Sequence, residues 1–156
     1  RHLGVEPYLQ EWVWPIAGEL PKPERHGGGI VAHEADYERI RPLLYPRPVL
    51  FPDRAERLRR WAELQERGEA VVWFTLNGFF WHPRTLFGIE RHLYAFYDQA
   101  DLMQRMNADM VAWQVDAIEE LSSVCRPDFV TFAEDLSYNH GPMLSEGLFD
   151  EFLRPC

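Results

Sequence analysis

An α/β fold, with two adjacent parallel strands joined by long crossover helices, is predicted by three features of this sequence. Residues 70–76, AVVWFTL, form an almost unbroken apolar run rich in β-branched and aromatic side chains, as a strand covered on both faces reads. Residues 129–133, FVTFA, form a second β-prone run that ends at the acidic pair Glu134-Asp135. The stretch between them has helical spacing, and strand, helix, strand is the order of a βαβ unit, whose strands are parallel.

The chain has 156 residues, 46% apolar and 14% aromatic, enough for one compact domain with a real core. Sixteen basic residues against 25 acidic ones leave a net charge of -9, which repels phosphate backbones and anionic headgroups and argues against nucleic acid or membrane as partner. No apolar run approaches the roughly 20 residues needed to cross a bilayer. Two cysteines, Cys125 and Cys156, fit neither a disulfide framework nor a metal knuckle, and a cytoplasmic protein is expected. Because the chain starts at Arg1 and stops just past Pro155, a processed chain or a piece of a longer protein is expected.

Residues 1–50 read as an irregular segment, and residues 51–156 as the organised domain. Prolines at 7, 15, 21, 23, 42, 46 and 48 and the run Gly27-Gly28-Gly29 exclude a long helix or a central strand in the first part. The expectation there is a short helix over residues 8–14, a flexible turn at the glycines, which lack phosphate-loop spacing, and a brief helix over 36–40. Pro52-Asp53-Arg54-Ala55-Glu56 reads as a helix start capped by Asp53. Leu58, Trp61, Ala62 and Gln65 would share a face, and Gly68 would stop the helix.

After the first strand, Asn77 and Gly78 end the run and a loop over residues 79–84 follows. Phe79 and Phe80 read as packing; Asn77, Trp81 and Arg84 read as substrate contacts. Residues 86–97 read as a helix by apolar positions 86, 89, 93 and 97. A longer one, 100–124, carries Leu102, Met103, Met106, Met110, Trp113, Ala117 and Leu121 in one stripe about 100° wide. Val111, Val115 and Ile118 make a stripe almost opposite, which predicts a neighbouring helix or a homo-oligomer contact through that helix. His82, Glu90 and His92 match no metal-binding spacing, and solvated side chains are expected there.

Chemistry is expected where the second strand ends. Adjacent side chains on extended backbone point to opposite sides, so one carboxylate of Glu134-Asp135 faces a pocket while the other braces the scaffold; Asp135 is the preferred catalytic group, then Glu134. Tyr138, Asn139 and His140 follow in a polar loop, the first two as substrate contacts and His140 as an acid or base, though a turn before Gly141-Pro142 needs such residues too. Ser145 reads as an N-cap opening an amphipathic helix, since no nucleophile elbow surrounds it.

The segments GFFWHPRTLFGIERHLYAFYDQADLM and FAEDLSYNHGPMLSEGLFDEFLRP resemble the uroporphyrinogen decarboxylase family, which includes cobalamin-linked methyltransferases. The likeness runs from about residue 36 to 155, and the acidic strand end followed by GPxxS and a Phe-rich helix is its most specific part. It implies a partial (β/α)8 barrel, since a full one needs roughly 250 residues. Decarboxylases of the family use a tyrosine shortly after a strand, where this chain has Leu86 and Phe87. Methyltransferase relatives hold zinc through a His-x-Cys pair and a distant Cys, none of it present here. The resemblance therefore implies a methyltransferase-like enzyme acting on a small molecule or a corrinoid protein. It implies no cofactor within this chain, zinc only in a longer form, and tetrapyrrole decarboxylation or a non-catalytic fragment as the rival readings.

Overall fold

The structure is a computed structural model that describes residues 8–16 and 18–156; the start of the irregular segment and Ala17 lie outside the described residues. Three parallel strands form one sheet in the order β1 (Tyr8–Val13), β2 (Val71–Asn77), β3 (Phe129–Ala133). The predicted pair is present: Trp73 lies opposite Phe129, and Asn77 opposite Ala133. Unexpected is β1, which pairs in register from Tyr8 opposite Val71 to Val13 opposite Leu76. Residues 8–14 are thus not a short helix but a strand. Two turns of helix over YLQEWVW would gather Tyr8, Leu9, Trp12 and Val13 on one side, but pairing with β2 makes it a strand, with Leu9, Glu11 and Val13 on one face and Tyr8, Gln10 and Trp12 on the other. Pro7 and Pro15 lie outside β1 and remove none of its ladder donors, and β1 stands at the edge of the sheet formed by the described residues.

Alternation along β2 decides which face the helices cover. Val72, Phe74 and Leu76 are fully buried and pack with Leu58 of α2 (Pro52–Glu66) and Trp113, Ala117 and Leu121 of α5 (Ala100–Ser122). Glu11 of β1 points the same way. Buried to 4% exposure, it holds α2 to the sheet through Arg54 at 2.8 Å and Arg57 at 2.8 Å. The opposite face carries a polar layer, Gln10 to Thr75 at 2.7 Å and Thr75 to Thr131 at 2.8 Å, beside an aromatic one in which Trp73 stacks on Phe129 at 5.5 Å. Tyr8, Trp12 and Phe129 on that face are 68%, 48% and 47% exposed. Among the described residues, helices cover one side of the sheet only.

The helices follow the sequence with four corrections. In α2, Phe51 is the N-cap with Pro52 at the first position, so Asp53 sits inside the first turn and favours its free amides by charge rather than by capping. Residues 79–84 are not all loop, because α3 (Trp81–Phe87) starts at Trp81. The helix expected over 86–97 is broken at Gly88, whose φ of 82° ends α3 and starts α4 (Ile89–Asp98). That break resets the helical phase: α4 buries His92, Ala95 and Phe96, while Ile89, Leu93 and Tyr97 stay exposed. His82 and His92, expected in solvent, are both completely buried. In α5 every residue of the predicted stripe is buried, and Val115 on the other side is 50% exposed.

Gly29 explains the triple glycine. A Cβ there would fall 2.0 Å from the backbone of Phe87, so only glycine lets the 21–30 loop cross the α3–α4 junction. Through that crossing Val31, with Tyr37 and Ile40 of α1 (Glu34–Ile40), joins Phe80, Met103 and Met106 in the second core cluster. After β3 the chain makes a small hairpin, β4 (Ser137–Tyr138) with β5 (Gly141–Pro142). It then enters α6 (Glu146–Leu148), where the Ser145 hydroxyl accepts from the Leu148 amide at 3.3 Å as an N-cap. No helix of the described residues is long and apolar enough to cross a membrane.

Candidate functional site

The carboxyl ends of β2 and β3 lie side by side, joined by the Gly78 amide donating to the Ala133 carbonyl at 3.0 Å. Just past them Glu134 turns back over Gly78. Its two carboxylate oxygens accept from the Phe80 amide at 2.9 Å and the Trp81 amide at 3.0 Å, the free donors at the start of α3. A Cβ on Gly78 would come within 1.9 Å of the Glu134 carboxyl carbon, so glycine is required for the carboxylate to reach the amides. Burial raises the Glu134 pKa, and the amide bonds pull it partly back. Both carboxylate oxygens of Glu134 thus hold the start of α3, which carries Trp81.

Asp135, next in the chain and past the end of β3, has a side chain that is 54% exposed and also faces α3. The Arg84 guanidinium lies 3.4 Å from its carboxylate and 5.4 Å from the Trp81 ring centroid. Trp81 and Arg84 are three apart on α3 and so share a side of it. An aromatic plane, a cation over it and a half-exposed carboxylate therefore meet at one rim. This trio can stack a flat ligand, bind an anionic substituent through Arg84 and accept a hydrogen bond or a proton at Asp135.

The other predicted residues are distributed unevenly. Tyr138, Asn139 and His140 are exposed at the β4–β5 hairpin, where the Tyr138 and His140 rings meet edge to face at 5.8 Å. Asn77 does not line an open surface: it is 1% exposed, neither side-chain polar atom has a partner, and its carbonyl accepts from Gln114 at 2.7 Å. Among the described residues no three His, Cys, Asp or Glu side chains gather to hold a metal. Cys125 is buried at 1% exposure and its thiol is pushed up to about 11 by burial, with Asp128 adding to the effect.

Two buried groups escaped the sequence reading. His82 sits in the first turn of α3 with neither ring nitrogen bonded, and burial pushes its imidazole down to about 4. His92 is wedged edge-on between Phe80 at 4.5 Å and Phe96 at 5.1 Å, also unbonded. Burial, then the Arg84 charge, push it down to about 3. A signal was present: His92 lies three and four residues before Ala95 and Phe96, the apolar face that α4 turns inward.

Neither of two concave regions opens at the rim. One of about 1140 Å³ lies between the 21–30 loop and α4, and one of about 340 Å³ between α4 and residues 143–148. Comparison of the chain with protein-family models, with curated proteins and with solved structures gives no match.

Proposed function

We propose that this chain is part of a cytoplasmic β/α-barrel enzyme of the uroporphyrinogen decarboxylase type, with its substrate at the Trp81, Arg84 and Asp135 rim and methyl transfer as its chemistry. The observation that carries the reading is this trio, set at the carboxyl ends of adjacent parallel strands, the edge where β/α enzymes place their ligands. The half-open sheet is in keeping with a barrel completed by further strands.

Methyl transfer stands ahead of tetrapyrrole decarboxylation for one reason. At the place where the decarboxylases need a tyrosine hydroxyl, Leu86 and Phe87 are 0% and 1% exposed and pack in the core. In this reading Trp81 supports a planar ligand, Arg84 orients it, and Asp135 accepts a hydrogen bond or proton from the methyl acceptor.

Calorimetric titration with methylcobalamin, and in parallel with uroporphyrin, tests the assignment. Saturable binding of methylcobalamin is expected, weakened about tenfold by Trp81→Phe or Asp135→Asn at unchanged melting temperature. Tighter binding of uroporphyrin transfers the assignment to decarboxylation. Binding of neither removes the rim as a ligand site.

A further inference from the structure

Helix α4 is apolar on two sides and covered on one. His92, Ala95 and Phe96 face the core, while Ile89, Leu93, Tyr94 and Tyr97 are 52%, 38%, 60% and 70% exposed on the other side. Ile89, Leu93 and Tyr97 stand four residues apart and so form one ridge along the helix, with Tyr94 beside Tyr97. The 340 Å³ concavity runs along this ridge, between α4 and Met143, Leu144 and Leu148. That volume is roughly eleven waters, room for an aromatic side chain.

The face has the area of an interface. At about 150–250 Å² for an aromatic side chain, the exposed parts of the four residues come to roughly 500 Å² of mostly apolar surface. A stable interface takes about 800 Å² from each partner, of which roughly 450 Å² is apolar. The outer stripe of α5 offers less, because Val115 is exposed but Val111 and Ile118 beside it are half-buried. Glu90 is the one charged side chain lining the groove, so the apolar centre has a thin polar rim.

The symmetry of the ridge selects the partner. Leu93 lies four residues from Ile89 and four from Tyr97, so a two-fold axis at Leu93 turns the ridge onto itself, as contact between identical copies requires. We infer that α4 is the contact of a two-fold dimer of this chain, the two helices crossing where Leu93 meets the partner's Leu93. Ridges of i,i+4 side chains interlock when helices cross, and the groove beside each ridge gives the other copy's tyrosines a place to enter. The two Glu90 carboxylates, each three residues from the axis, end about 9 Å apart, about one Debye length at physiological salt, and oppose the contact little. This inference does not rest on the Trp81 rim reading.

Sedimentation velocity on the full chain tests it, with Leu93→Asp and Val115→Asp beside wild type. At about 100 μM the wild type is expected to sediment at twice the 18.4 kDa chain mass. Leu93→Asp sets two carboxylates against each other at the axis and should raise the dissociation constant at least about 100-fold, with an unchanged far-ultraviolet circular dichroism spectrum. Val115→Asp should leave the dimer intact. A residue on a two-fold axis faces itself, so Leu93→Cys in a Cys156→Ser background should cross-link under mild oxidation, and Val115→Cys in the same background should not. Monomeric wild type at that concentration overturns the proposal. So does a dimer that Leu93→Asp leaves intact, or one that Val115→Asp dissociates.

Discussion

Acid should unfold this protein earlier than its carboxylates alone would dictate, and the cause is the pair of buried imidazoles. In the unfolded chain His82 and His92 titrate near 6.5, but in the fold they hold out to about 4 and about 3. Below 6.5 the unfolded chain therefore takes up protons that the folded one refuses. Stability is complete above that value and is lost as pH falls toward 4. At pH 5 the solution is about 1.5 units below the unfolded pKa of each histidine and still above the folded one, which costs about 2 kcal/mol per residue and about 4 kcal/mol for both. Against total stabilities of about 5–15 kcal/mol this is a large fraction. Glu134, whose pKa is raised, acts in the opposite sense, so the test must isolate the imidazoles. Urea unfolding of wild type and of His82→Leu/His92→Leu, between about pH 7 and pH 5, should show the wild type losing those 4 kcal/mol and the variant almost none. Leucine also removes ring nitrogens left without partners, so the variant should hold its stability near pH 7. An unchanged pH dependence in the variant refutes the reasoning. So would imidazole proton resonances of the folded wild type that titrate near 6.5.

Four further outcomes follow from the packing. Glu134→Gln should cost about 2 kcal/mol in urea unfolding by weakening the bonds to the Phe80 and Trp81 amides. Gly78→Ala should cost about 3 kcal/mol in wild type and much less in a Glu134→Ala background, because the clash is with that side chain; additive costs would disprove the contact. Gly29→Ala should cost about 3 kcal/mol through collision with the Phe87 backbone, whereas Gly18→Ala, with no atom within 4 Å, should shift stability by less than about 0.5 kcal/mol. With a thiol reagent at mildly alkaline pH, exposed Cys156 should react first and buried Cys125 at least about 100-fold more slowly; equal rates would refute the burial of Cys125.

What could be read from the sequence was whatever short-range periodicity carries. The two apolar runs are strands, they are parallel neighbours, and the Met-rich stripe of α5 is buried residue for residue, because alternation and 3.6-residue spacing encode burial locally. Glu134 and Asp135 were legible as a pair at a strand end for the same reason. Tertiary structure decided the rest. YLQEWVW has no decisive period, and it is a strand only because β2 offers an unpaired edge. Gly88 rotates α4 so that His92 goes in and Leu93 stays out, a phase that spacing across a presumed continuous helix misassigns. The Glu134 contacts depend on Gly78, Phe80 and Trp81 lying within hydrogen-bond or contact distance of it, and the path of residues 21–30 on a glycine crossing a distant helix junction. Such meetings are long-range and leave no period in the chain.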